Sequence, residues 1–368
     1  MRDETRMLLE SMSRLFEDHC TKSVADAAET GTFPAALWQA VSESGVPLGG
    51  VADSGVEWSD LYAVLRVAGR YAAPIPLAET MLAAWIASSA GFSVDERPMT
   101  VGPVRAGETL RLERDGNAWR LFGRASRLPW GRDARRIALI ATDPDGRTMA
   151  VFSDNLQEAR LPTGGSNMAG EPRDTYEFAG LGLAGNEIAP AGPGVDQAAL
   201  YRRGALARAV LMAGAMERAL DTAVSYAQER KQFGRPIGKF QAVQQNLAVM
   251  AGQVAAAGAA ADAGVEALSI DDPDKQEFLI AIAKTRVGDA ATLASEIAHQ
   301  VHGAIGFTKE YSLQLSTRRL WSWRDEFGGD TEWAAKVGAY ICAGGAGALW
   351  PTLTATTGHV DDPVQTSV

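Results

Sequence analysis

Cysteine is nearly absent from this chain: Cys20 and Cys342 are the two in 368 residues, and they lie far apart. Neither a disulfide framework nor a zinc-ligand spacing can be built from them, so a reduced, cytoplasmic setting is the expectation. Histidine is also scarce. His19, His299, His302 and His359 fall into no ligand motif, and no metal site is expected. No apolar run approaches the roughly 20 residues that a membrane span needs. Met1–Arg6 leads directly into an amphipathic pattern rather than a signal-peptide core. Positive charge is in deficit: 35 Lys and Arg against 45 Asp and Glu leave a net charge of −10, which argues against a nucleic-acid binder. It does not exclude a phosphate-bearing ligand, since a few local arginines decide that. What remains, 46% hydrophobic and 22% charged residues, is the composition of an ordinary globular protein with room for two or three domains.

The hydrophobic period changes twice along the chain. Residues 1–95 read as helices: Leu8, Met12 and Leu15 keep helical spacing, as do Leu61, Val64, Leu65 and Ala68 behind Ser59. Ala73-Pro-Ile-Pro76 interrupts them, because both prolines lack the amide proton. Over 96–192 the period becomes two. Leu110 and Leu112 alternate with polar residues, Asp115-Gly116 signals a turn, and Trp119 and Leu121 follow. Ile137 and Leu139, the turn Asp143-Pro-Asp-Gly146, then Met149 and Val151 repeat the arrangement, as in a small antiparallel barrel or sandwich. From 193 to 355 long helices return. Phe240, Val243, Leu247, Met250, Val254, Ala261, Val265 and Leu268 form a seam in steps of three and four, the pattern of a four-helix bundle. Residues 356–368 read as a frayed tail. The expected fold class is α+β.

Two segments concentrate ligand-binding chemistry. Tyr226-Ala-Gln-Glu-Arg-Lys-Gln-Phe-Gly-Arg-Pro236 joins two long helices and gathers Arg230, Gln232 and Phe233, with Gln241 shortly after. A guanidinium offers a planar fork to phosphate oxygens, and amides add directional hydrogen bonds. Read plainly, the same stretch is a turn in which Gly234 breaks one helix and Pro236 precedes the next. Gln300-Val-His-Gly-Ala-Ile-Gly306 places a glutamine at a helix end, followed by Gly303, Ala304 and Gly306, small enough to let a ligand reach backbone amides. A glycine-rich C-cap is the plain alternative.

Both segments, at this spacing and in a helix–strand–helix order, resemble the acyl-CoA dehydrogenase family. The resemblance spans almost the whole chain and is strongest over 210–320. It implies an N-terminal helical domain, a middle β domain and a C-terminal bundle. It further implies FAD as cofactor, an acyl-CoA substrate and electron-transfer flavoprotein as acceptor. In the family the matching arginine, amides and small residues face the pyrophosphate and adenosine of a cofactor shared with a neighbouring subunit. Arg230, Gln232, Phe233, Gln241, Gln300, Gly303, Ala304 and Gly306 are the corresponding cofactor-binding candidates.

The resemblance fails where a base is needed. Removing a proton α to a thioester calls for a buried carboxylate with a raised pKa. The family's usual slot falls at Phe327, and the alternative slot, on the helix before the arginine motif, falls at Gly204. Neither takes a proton. Asp325 and Glu326 lie beside the slot and Glu326 is the candidate base; the plain reading makes both of them solvated loop acids beside Arg318, Arg319 and Arg324. Glu217 reads as a boundary residue. The hydroxyl-rich strands that hold the flavin ring in the family are reduced to Thr100 and Trp130, and Trp130 reads better as a core aromatic. The cluster Arg318, Arg319, Trp321 and Trp323 reads as packed or ion-paired side chains, with contact to CoA phosphates or to a partner as the alternative. Retaining the nucleotide-binding half while losing the base resembles the short, divergent subunits of actinobacterial α2β2 acyl-CoA dehydrogenases that act on steroid side chains. The expectation is a subunit that completes a homologous partner's FAD site. A self-sufficient enzyme using Glu326 and a non-catalytic homologue without flavin are the alternatives.

Overall fold

A computed structural model describes residues 2–51, 54–116, 118–154, 156–161 and 164–354; the expected tail from 356 lies outside them. Five helices come first: α1 (Asp3–His19), α2 (Lys22–Glu29), α3 (Ala35–Glu43), α4 (Trp58–Arg70) and α5 (Leu77–Ser89). Helix α5 begins immediately after Pro76, so the double proline sets where the next helix starts. The fold is α+β, with helices on either side of a central sheet in the chain order.

Eight strands follow: β1 (Met99–Gly102), β2 (Leu110–Asp115), β3 (Ala118–Pro129), β4 (Arg136–Thr142), β5 (Thr148–Ser153), β6 (Gly165–Ser166), β7 (Pro172–Leu183) and β8 (Ile188–Pro190). They form one sheet in the order β6-β7-β3-β2-β4-β5-β8, with β1 paired to β4. The two hairpins marked by Asp/Gly turns are β2–β3 and β4–β5. The sheet departs from the antiparallel expectation, because β1–β4 and β2–β4 are parallel. Those pairings join strands that are not neighbours in sequence, and a short-range alternation pattern carries no information about them.

The C-terminal part is a bundle of α6 (Gln197–Glu229), α7 (Gln241–Glu266), α8 (Pro273–His302) and α9 (Leu313–Arg324), followed by α10 (Asp330–Gly344) and α11 (Ala346–Thr354). Asp196 caps α6 through the amide of Ala199, and Asp272 caps α8 through Asp274 and Lys275. Met250, Val254, Ala257 and Ala261 bury the inner side of α7, whereas Leu247 is half-buried. By length and composition, α7 with the turn after it could cross a membrane, contrary to the expectation from apolar runs. Here it instead packs along α6 and α8.

The N-terminal helices are fixed to the bundle by backbone contact. A Cβ at Gly69 on α4 would collide with the Leu211 carbonyl of α6, and one at Gly214 with the Arg66 carbonyl. Only glycine lets the two helices approach this closely. Tyr62 adds a hydrogen bond from its hydroxyl to the Arg203 carbonyl at 3.0 Å. This junction, the sheet and α9 enclose the charged cluster described next.

Candidate functional site

A cleft of about 550 Å³ opens between the sheet and the segment linking α9 to α10. Arg105, Arg127 and Pro129 line one side; Trp321, Asp325 and Phe327 line the other. Three of its residues have positive φ: Arg127 at 58°, Phe327 at 52° and Gly328 at 92°. For the two with side chains this conformation costs on the order of 1 kcal/mol or more each, and such strain collects at functional sites.

Beneath the cleft lies a balanced ion cluster, three carboxylates with three guanidiniums. Glu326 accepts two hydrogen bonds from Arg173, Nε to Oε1 at 2.7 Å and Nη2 to Oε2 at 2.9 Å. Arg208 donates from Nε to Oε2 at 2.7 Å, and Asn167 donates to Oε1 at 3.1 Å. Arg208 also pairs with Glu79 of α5. Glu171 pairs with Arg173 at 2.9 Å and Arg319 at 3.1 Å, and accepts from the Trp323 indole at 3.0 Å. One cluster thus ties the N-terminal helices, the sheet and the bundle together.

This arrangement gives Glu326 the properties of an ion-pair node, not of a proton acceptor. Burial alone would raise its pKa, but Arg173 and Arg208 outweigh burial, helped by the hydrogen bonds from Asn167 and Arg173, and hold it at about 2. A base for an α-proton needs the opposite shift. Each carboxylate oxygen already accepts two hydrogen bonds, which uses the lone pairs a substrate proton would need. Glu171 is likewise held below the carboxylate range, with Arg319 and Arg173 overcoming burial.

Next to this node, Phe327 packs against the helix position that carries Gly204. A Cβ at Gly204 would run into the Phe327 ring. The two positions where a base was sought therefore interlock: an aromatic ring fills the space that glycine leaves. Arg208 lies over that ring at 5.3 Å. Lys284, fully buried on α8, donates to the carbonyls of Trp323 at 3.1 Å and Arg324 at 2.6 Å and so caps α9 just before the segment. Burial lowers its pKa to about 8.

The nucleotide-half candidates lie elsewhere. Arg230 ends α6, and a two-residue hairpin follows, β9 (Lys231–Gln232) with β10 (Arg235–Pro236). Phe233 and Gly234 occupy its tip at φ 50° and 79°, and Phe233 is 91% exposed. Arg230, Gln232 and Gln241 are exposed as well. Gln300 lies in the last turn of α8 and is exposed, and Gly303–Phe307 forms a 3-10 turn. Tyr226, one turn before Arg230, stacks on His302 with centroids 4.5 Å apart. That stack brings the two motifs to one end of the bundle. Gly303 and Ala304 are exposed, whereas Gly306 is buried against His302 and Leu313, so its smallness serves packing.

Other assignments resolve simply. Trp130 is a buried aromatic, and Thr100 is buried and donates to the Pro129 carbonyl at 2.5 Å. Arg318 pairs with Glu29 at 2.7 Å, and Arg319 is buried on Glu171, so both arginines are ion-paired. Glu217 is paired with Arg66 at 2.6 Å. No group of three or more metal-ligating side chains occurs among the described residues. Sequence reading missed Glu79, Glu171, Arg173 and Arg208. The available signal was Glu79, the single charge of an otherwise apolar helix, and Arg208, the single charge in the run from Gly204 to Met216.

The architecture is that of an acyl-CoA dehydrogenase fold. Residues 193–334 match the acyl-CoA dehydrogenase C-terminal domain. The 3-sulfinopropanoyl-CoA desulfinase of Paraburkholderia xenovorans is 30% identical over 243 residues, 59% of this chain and 58% of the relative, so the match spans less than two thirds of that protein. Acyl-CoA dehydrogenase IpdE2 of Mycolicibacterium smegmatis is 27% identical over 87% of this chain and 93% of its own. The ChsE4-ChsE5 complex from Mycobacterium tuberculosis superposes with a TM-score of 0.82 at 20% identity, covering 93% of this chain and 98% of the other. A variant of the Tcur3481-Tcur3483 steroid ACAD gives 0.80 at 24% identity, covering 94% and 99%. Residues 193–334 of this chain thus match the acyl-CoA dehydrogenase C-terminal domain, and the chain as a whole shares that family's fold.

Proposed function

We propose that this chain is a subunit of an FAD-dependent acyl-CoA dehydrogenase, the one without the catalytic glutamate, and that it completes a flavin site built mainly by a homologous subunit. The Phe327–Gly204 interlock carries the proposal: both positions suited to a base are occupied by carbon against carbon. Glu326, the carboxylate beside that interlock, is saturated by Arg173, Arg208 and Asn167.

The exposed end of the bundle has a donor set that fits a dinucleotide. Arg230 would take pyrophosphate oxygens with its guanidinium fork, and Gln232, Gln241 and Gln300 would add directional bonds. Phe233, held outward by the tight hairpin, offers a ring to a neighbouring surface. Gly303 and Ala304 leave the backbone open to close approach. FAD, when bound, accepts the hydride leaving the β-carbon of the thioester. This chain's residues would hold the nucleotide end of that cofactor, while the α-proton goes to a base on the partner. The likeness to a two-component steroid ACAD supports a steroid side-chain CoA ester as the acyl group. Electron-transfer flavoprotein is the proposed acceptor.

The test is co-expression with a homologous subunit that carries the glutamate. The chain alone should be colourless and inactive, and the complex yellow and active with an acyl-CoA and an electron acceptor. Arg230→Ala together with Gln300→Ala should cut the flavin content of the complex. Stoichiometric flavin and turnover in the purified chain alone would overturn the proposal.

A further inference from the structure

Two histidines sit directly beneath the turn that carries the small residues of the second motif, and both are short of hydrogen-bond partners. His302 is 4% exposed and His299 7%. His302 Nδ1 lies 2.7 Å from the Ala298 carbonyl; a carbonyl only accepts, so Nδ1 carries the proton and Nε2 is a bare lone pair. His299 Nε2 lies 3.0 Å from the Thr317 hydroxyl, which itself donates to the Leu313 carbonyl at 3.5 Å. With that hydroxyl turned to Leu313, the imidazole is assigned as the donor, and its Nδ1 is bare. Both Nδ1 of His299 and Nε2 of His302 are buried with no partner.

The rings also hold the turn in place. His299 stacks on Phe307 with centroids 4.1 Å apart and on Trp321 of the cleft at 5.7 Å. His302 stacks on Tyr226 at 4.5 Å and leans on Tyr311 at 4.9 Å. A Cβ at Gly306 would meet His302 Cβ at 3.0 Å and His299 Nδ1 at 3.2 Å, so the turn is seated on the two side chains.

We propose that His299 and His302 form an acid-sensitive clasp: protonation of the bare nitrogens loosens the Gly303–Phe307 turn from the end of the bundle. A second proton on either ring would be a charge buried with no acceptor. The groups facing the pair are Tyr226 from α6, Tyr311 from the segment before α9, Thr317 and Trp321 from α9, and Phe307 from the turn. The other charges acting here, Glu229 and Arg218, are felt at Tyr311. None of the facing groups is a carboxylate that could stabilise an imidazolium. Burial accordingly lowers the pKa of both histidines; the charge of His302 adds to this for His299, and the bond to Ala298 partly opposes it for His302. With folded-state values lowered, the stabilisation is complete above 6.5, the ordinary histidine value, and is lost as the pH falls through the folded values. The consequence for flavin binding rests on the function proposed above; the loosening of the turn does not.

Hydrogen–deuterium exchange on the full chain, corrected for intrinsic rates, tests this between about pH 7.5 and about pH 5. In the wild type, protection of residues 303–308 should fall by about tenfold per histidine for each pH unit between the open-state and folded-state pKa values. Segments of α7 should keep theirs. His302→Asn preserves a donor toward Ala298 and His299→Gln one toward Thr317, and both remove the titration; the double variant should show no step. A flat wild-type profile overturns the clasp, and so does an equal step in the double variant. If the double variant fails to fold by far-ultraviolet circular dichroism, the wild-type profile and histidine NMR titration decide. Both imidazoles should then titrate below 6.5, and ordinary values would refute the proposal.

Discussion

Replacing Glu326 by glutamine separates a structural carboxylate from a catalytic one. The amide keeps the shape but removes the charge that Arg173 and Arg208 share, and it turns an NH2 group toward one of them. Two routes give the magnitude. The pKa drops from 4.5 to about 2 on folding, and at roughly 1.4 kcal/mol per unit this corresponds to about 3–4 kcal/mol. Breaking a buried ion pair by removing one partner costs roughly 3–5 kcal/mol, because the remaining charge is left uncompensated. The two agree. Urea unfolding near neutral pH, followed by tryptophan fluorescence and far-ultraviolet circular dichroism, should show a loss of about that size. The pH dependence has a fixed sign. A depressed carboxylate stabilises the folded state above its unfolded value of 4.5, and the contribution disappears as the pH falls toward about 2. The wild type should therefore lose stability across that window, and E326Q should lose less. If E326Q unfolds within about 1 kcal/mol of the wild type and yet abolishes turnover of an isolated chain, the ion-node assignment is wrong and Glu326 is a base.

Two further outcomes follow from packing and burial. Gly204→Ala pushes a methyl group into the Phe327 ring and should cost roughly 1–3 kcal/mol, part of which Phe327→Leu in the same chain should recover; unaltered stability of G204A in urea would refute the interlock. Burial, opposed by the charge of Arg319, pushes the Cys20 thiol up to about 12, while Cys342 is exposed. Iodoacetamide at mildly alkaline pH should therefore modify Cys342 and spare Cys20 in the folded chain, and mass spectrometry showing equal labelling would count against the packing around α1.

The parts of this molecule that were legible in the sequence are those with a local signal. Helical seams, proline stops and Asp/Gly turns each act over a few residues, so α5 begins after Pro76 and β4–β5 turns at Asp143–Gly146 as read. The hairpin between α6 and α7 was visible as a break, because Phe233-Gly234 supplies two positive-φ positions and Pro236 cannot continue a helix. The parallel pairings of β4 were not, since they depend on partners far along the chain. The ion cluster was invisible for the same reason: Glu79, Glu171, Arg208 and Glu326 meet only after three structural units dock. Glu326 looked like a base because it neighbours an empty slot. Its character is set by Arg173, which lies 153 positions away.

On the proposed function, that cluster also explains why giving this chain a base would take more than one substitution. A carboxylate introduced at position 327 would occupy the place of a ring over which the Arg208 guanidinium already sits at 5.3 Å. The cation would hold the new group ionised and below the carboxylate range, as it does Glu326, while abstraction of an α-proton needs a group shifted upward. Moving the carboxylate to position 204 fails for a different reason, since Phe327 fills the space its side chain would enter. Each slot is closed by what holds the other in place. Recovering a base would require changing Phe327, Arg208 and the acids that balance Arg208 together, and those same acids clamp the N-terminal helices to the bundle. On the proposed function, the groups that make this fold cohere are therefore the groups that keep its own cleft from performing the proton transfer, which that proposal gives to a partner's carboxylate.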